Sequence, residues 1–204
     1  MMFQRKLFYV LALVVDRLHI AVAGDPDILT DYVVPSNIVN LTSDLFTFTG
    51  MRVIINAPPP PAFKVLKASM AEFPGLNGQS VSYAVLQYPT GSVNPPHTHP
   101  RASELLFLLM GTLEVGFVDT TNKLYTQTLK QADMFVFPKG LVHYQYNADP
   151  KNPALALSAF GSASAGTVSI PNQVFNTSID DTILAKSFNT DIATIQKIKL
   201  GLRC

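Results

Sequence analysis

From residue 81 to residue 160 the chain is cut by turn signals into short apolar runs, and this cadence limits what it can fold into. Residues 81–88 are the first run, closed by Pro89-Thr-Gly91. Residues 105–110 and 112–118 flank Gly111, which reads as a bend or bulge inside a strand pattern. Asp119-Thr-Thr-Asn122 marks a turn, residues 123–129 alternate apolar and polar, and residues 133–137 end in the turn signature Pro138-Lys-Gly140. Residues 143–147 and 155–160 follow. Strands at roughly ten-residue intervals with turns between them predict a β-sandwich or barrel. An open sandwich without a cavity is the alternative, and it leaves the polar residues inside this region unexplained.

Those polar residues are few and specific. The chain has four histidines, and three of them, His97, His99 and His143, fall within the stretch from Asn94 to Asn147. On a strand, the spacing of His97 and His99 puts both rings on one face. Pro95-Pro96 rigidifies the approach to His97, and Pro100 lets the chain bend before Glu104. Glu104 is followed at once by Leu-Leu-Phe-Leu-Leu-Met, and an acid entering such a run needs a partner because an unpaired buried charge is costly. His143 comes from a separate segment and can join the others only if the fold brings two strands together. Three imidazoles and a carboxylate form a mixed nitrogen and oxygen donor set suited to Mn, Fe, Zn or Ni, not to the thiolate metals. Taken singly, each histidine fits a surface loop or a hydrogen-bonded core position equally well.

The pattern Gly91-x5-His97-x-His99-x4-Glu104-x6-Gly111, followed by Pro138, Gly140, His143 and Asn147, resembles the two cupin motifs of germin-like proteins. The likeness runs from Gly24-Asp25-Pro26-Asp27 to the C-terminal tail. It departs at Gln131-Ala132-Asp133, where germins commonly have Gly-Asp, and in lacking the two N-terminal cysteines of most germins. The resemblance implies an all-β cupin barrel (jelly roll) with a C-terminal α-helical tail. It implies one manganese ion per chain held by His97, His99, Glu104 and His143, and a homo-oligomer, a hexamer built as a trimer of dimers. In germins that oxidise oxalate, two asparagines help hold the substrate. One matches Asn94; the other falls at Ala84, which has no hydrogen-bonding group. Superoxide dismutation at the metal, with superoxide or another small anion as its partner, therefore ranks above oxalate oxidation. A non-enzymatic cell-wall, auxin-binding, receptor-like or defence-associated role, with the metal stabilising the fold, is the alternative.

The remaining features bound the setting. Arg5 and Lys6, the apolar run from Leu7 to Val15, and Ala21-Val-Ala23 read as a secretory signal over residues 1–23. That run is too short to span a bilayer. Residues 24–204 then form one domain, with an arm over 24–60, a barrel over about 61–170 and a helical tail over 177–201. A net charge of +1 without charged blocks excludes nucleic acid or an anionic membrane surface as an obvious partner. Secretion to the apoplast and cell wall gives meaning to two glycosylation sequons, at Asn40 and Asn176. The single cysteine, Cys204, leaves no intrachain disulfide, so packing must hold the arm. In the tail, Ile179, Ile183, Leu184 and Phe188 recur at helical spacing behind a Ser178/Asp181 capping pair. Asp191 opens a second helix with Ile192, Ile195 and Ile198 on one stripe, ending near Gly201. Such stripes must be buried on the barrel or on a neighbouring subunit.

Overall fold

A computed structural model of the chain describes residues 24–202. The expected leader (residues 1–23, with His19) and Cys204 lie outside the described residues. Among the described residues, ten strands form two antiparallel five-stranded sheets. In chain order they are β1 (Lys64–Ala68), β2 (Ser82–Tyr88), β3 (Val93–Thr98), β4 (Glu104–Met110), β5 (Thr112–Val118), β6 (Leu124–Lys130), β7 (Met134–Phe137), β8 (Val142–Tyr146), β9 (Ala154–Phe160) and β10 (Val168–Ser169). The first sheet has the order β1-β2-β9-β4-β7 and the second β10-β3-β8-β5-β6. This is the jelly-roll arrangement expected of the sequence.

Period-two alternation sets what each face holds. In β4, Glu104, Leu106 and Leu108 point inward and are buried, while Leu105 points outward and is exposed. Leu106 and Leu108 pack with Leu86, Tyr88, Leu113, Val115, Leu129, Phe137 and Ala156 in the core between the sheets. Gly111 is the point where the chain leaves the first sheet for the second. Its φ is +85°, and a Cβ there would lie 2.7 Å from the Pro153 carbonyl oxygen, so only glycine fits. The return crossing, between β6 and β7, carries the family's missing glycine: Ala132 sits at φ +74°, a left-handed conformation that a side chain strains. Its N–H still donates to the Leu108 carbonyl at 2.8 Å, which holds the turn against β4.

Several elements were not legible from the turn cadence, the short β10 among them. β1 lies upstream of the expected first strand. β3 runs straight through Pro95-Pro96, and its pairing with β8 shifts between Asn94 and His97, where prolines without N–H groups do least harm. A short helix α1 (Ile170–Phe175) precedes the tail. The two expected tail helices are present as α2 (Asp181–Ser187) and α3 (Ile192–Gly201). Asp180, not Ser178, caps α2, accepting the Thr182 N–H at 2.8 Å; Asp191 caps α3 as expected. Their stripes are only partly covered: Leu184, Ala185 and Ile195 pack with Val174 and Phe175, whereas Ile183, Phe188 and Ile192 stay exposed. Within the arm, Tyr32 packs edge-on against Phe46, and Phe48 stacks on Phe73 of the β1–β2 connection, laying the arm against the barrel. No helix among the described residues is long and apolar enough to cross a membrane.

Candidate metal centre

His97 lies in β3, His143 in β8, and the two face each other in register across those neighbouring strands. His99 follows just beyond the end of β3. Glu104 opens β4 on the opposite sheet and points back at them. The ring centroids of His97 and His143 are 4.1 Å apart, and His99 lies 5.1 and 5.2 Å from them. One ligand atom from each of the four residues can be chosen so that all lie within 4.8 Å of one another. All four are buried, at 3%, 6%, 1% and 1% exposure for His97, His99, Glu104 and His143.

Each side chain is aimed by a partner behind it. His97 Nδ1 lies 2.8 Å from the Pro95 carbonyl oxygen, His143 Nδ1 2.8 Å from that of Leu141, and His99 Nδ1 2.5 Å from that of Gly166. A carbonyl has no proton to give, so each Nδ1 carries the hydrogen, and in His99 and His143 it is Nε2 that faces Glu104. Behind the carboxylate, Ser158 donates its hydroxyl to Glu104 Oε1 at 2.5 Å. That leaves Oε2 facing the rings, 3.0 Å from His99 Nε2 and 3.2 Å from His143 Nε2. Acceptors this close repel unless a proton or a cation lies between them. Burial, aided by the neighbouring His143, pushes His97 down to about 4, so it is neutral at physiological pH. Burial on its own would raise Glu104, but its hydrogen bonds to His143 and His99 outweigh that and hold it at about 2. A carboxylate held ionised among three imidazoles is a seat for a divalent cation, and the donor set fits one.

A cavity of about 410 Å³ reaches this cluster and is lined in part by His97, His99 and Glu104. Ala84, from the inner face of β2, is on its wall with Leu86, Phe63 and Phe160. Asn94 is there too, and its Nδ2 donates to Gln145 Oε1 at 2.7 Å. Asn147 is a loop staple: its Nδ2 reaches the carbonyl oxygens of Tyr88, Pro89 and Asn152 at 3.1, 3.2 and 2.9 Å. The sequons at Asn40 and Asn176 are both on exposed residues.

Sequence reasoning missed Ser158, Gln145 and the Gly166 carbonyl. Two of these left a trace. Ser158 is the lone polar residue in the run from Ala154 to Phe160, and Gln145 shares a strand face with His143 at a spacing of two. The Gly166 carbonyl left none, because backbone groups carry no sequence signal.

A cupin family model matches residues 57–196. A rice protein (Oryza sativa subsp. japonica), germin-like protein 9-3, is 63% identical over 203 residues, covering 96% of this chain and 94% of its own. Germin-like protein subfamily 2 member 2 of Arabidopsis thaliana is 41% identical, with 87% of each chain covered. Among solved structures, a recombinant oxalate oxidase in complex with glycolate superposes with a TM-score of 0.77 at 28% identity, covering 87% of this chain and 97% of that one. With its two-sheet barrel, its convergent histidines and carboxylate and these relatives, the chain belongs to the germin-like proteins of the cupin family.

Proposed function

We propose that this protein is a secreted manganese protein of the plant apoplast and cell wall that dismutes superoxide, with a role in defence. The observation that carries the reading is the buried set of His97, His99, Glu104 and His143, aimed from behind and reached by a cavity. All four would hold the ion. Manganese, when bound, supplies a couple between its divalent and trivalent states. One carboxylate does not neutralise either state, so the centre attracts small anions down the cavity. Two superoxide ions and two protons then yield one dioxygen and one hydrogen peroxide. Asn94, fixed by Gln145, is placed to meet an anion at the cavity wall. Oxalate oxidation ranks lower, because Ala84 offers a methyl group to the cavity where oxalate-oxidising germins have an asparagine.

Residues 1–23 would be removed as a leader, and Asn40 and Asn176 would carry glycans. A homohexamer, a trimer of dimers, is supported by two apolar rows on the outer face of the first sheet. Val136, Leu105, Ala159 and Tyr83 lie side by side in register, and Met134, Phe107 and Leu157 form the next row. Leu105, Met134, Val136 and Tyr83 are exposed in the single chain, as are Ile183, Phe188 and Ile192 of the tail. A second reading, a metal that only braces the fold, rests on one observation: His97 and His143 come from the second sheet, His99 from just past its β3, and the carboxylate from the first sheet, so an ion there ties the sheets together.

The test is turnover by protein purified from a secretory host and loaded with manganese. Superoxide loss that disappears in a His97→Ala/His143→Ala variant, with no peroxide formed from oxalate, is the expected result. Manganese bound without superoxide turnover would leave the bracing role.

A further inference from the structure

We infer that residues 161–167 form a strap that sets how tightly the centre retains its metal, and that Arg101 and Asp25 are the positioning residues that hold the strap. The inference rests on the metal-centre reading above. His97 and His143 are aimed by carbonyls two residues back in the chain, so their orientation is local. His99 differs. Its orienting carbonyl, Gly166, lies 67 residues away, in the connection between β9 and β10. This one ligand therefore depends on the placement of a separate segment, which also lines the cavity through Ser164, Ala165, Gly166 and Thr167.

The segment is gripped at both ends. On the side of Gly166, the Arg101 backbone N–H donates to the Ala165 carbonyl at 3.1 Å. The Arg101 guanidinium donates through Nε to the Ser164 carbonyl and through Nη2 to the Ser164 hydroxyl, the latter at 3.2 Å. It also lies over Gly166: φ there is +71°, and a Cβ would come within 2.8 Å of Arg101 Nη2. Glycine is thus required both by the backbone and by the arginine. At the other end, the Asp25 carboxylate accepts the Ser162 hydroxyl and the Ala163 N–H, each at 2.6 Å. The Met70 N–H donates to the Ala163 carbonyl at 2.8 Å. Arg101 is two residues from His99 in the chain, so the segment that bears the ligand also grips the strap that aims it. Asp25 brings in the N-terminal arm, just after the expected processing point.

Loss of a partner that orients a ligand costs about 10- to 100-fold in metal affinity. The experiment is the rate at which a strong chelator removes manganese from the metal-loaded full protein at neutral pH. R101A should release metal on the order of tenfold faster than wild type, and D25A should shift release in the same direction by a few-fold. D149A removes a carboxylate that accepts the Lys151 and Asn152 N–H groups in a remote turn and should leave the rate unchanged. In a His99→Ala background R101A should change the rate less than about twofold, because the ligand it positions is gone. Unchanged release in R101A overturns the inference, as does equal acceleration with and without His99, which would mark a general loosening of the fold. A wild type that takes up no manganese overturns the metal-centre reading, and the strap with it.

Discussion

Inside the barrel, the second sheet contributes His97 and His143, with His99 just past β3, and the first contributes Glu104 and its partner Ser158. Outside, the contrast changes kind. The first sheet shows rows of Leu, Val, Met, Phe and Tyr, while the second mixes Thr112, Glu114, Thr128 and Lys130, on one exposed face through the pairings Thr112–Lys130 and Glu114–Thr128, with scattered apolar residues such as Val93, Leu124 and Tyr146. The imidazoles come from β8 and from β3 and its end, and the carboxylate from the opposite sheet, so neither sheet alone supplies the four ligands. The solvated outer face needs no cover; the apolar one is complete only when something is laid on it. Each sheet therefore has one face whose meaning depends on a partner, and for the inner faces that partner is the other sheet.

The strongest way to break this division is to remove a ligand. His143→Ala should lower metal affinity by at least roughly two orders of magnitude, measured by competition with a calibrated chelator. It should do so without abolishing the β-sheet circular dichroism spectrum. Next is the outer face: Leu105→Lys with Val136→Asp should convert the proposed oligomer to smaller species in sedimentation velocity, whereas Thr128→Lys on the second sheet should leave it intact. An unchanged assembly in the first variant would contradict the reading of that face.

Ser158→Ala sharpens the comparison within the site. It removes the only hydrogen-bond donor behind Glu104 Oε1 among the described residues and should weaken metal binding about tenfold. Acid probes the same balance in the metal-free protein. His97 is held at about 4 in the fold, below its ordinary value of 6.5, so the unfolded chain binds the extra proton between those values. Stability should therefore fall as pH drops from about 6.5 to about 4, by up to roughly 3 kcal/mol, and fall further toward pH 2 as Glu104 is protonated. Urea midpoints across that range check the sign, and His97→Gln should flatten the upper part of the curve. The smallest effect is at the crossing between the sheets: Ala132→Gly relieves the left-handed backbone there and should add about 1 kcal/mol, seen as a modest rise in Tm.

Much of this was legible in the residues, for identifiable reasons. The strands that alternate or end in Gly and Pro turns, such as β2, β5 and β9, matched their expected spans to within a residue or two. The four ligands stood out because histidine is scarce and because Glu104 enters an apolar run. β3 was hidden by Pro95-Pro96, which argue against a strand until a bulge is known. The cap of α2 was misplaced because Ser178 and Asp180 both satisfy the local pattern, and only the backbone path chooses between them. The aiming of His99 was invisible, because it depends on a carbonyl oxygen 67 residues away. The outer apolar face was hidden as well, since the run from Leu105 to Met110 reads as continuous until the pleat divides it between core and surface.

The central claim is that three imidazole nitrogens and one carboxylate meet at a single ion. Pulsed electron paramagnetic resonance on manganese-loaded protein, with histidine labelled in nitrogen-15, tests it most directly. One manganese per chain coupled to three labelled nitrogens, falling to two in His143→Ala, is the predicted result. Manganese without labelled-nitrogen coupling, or coupling unchanged in that variant, would contradict it.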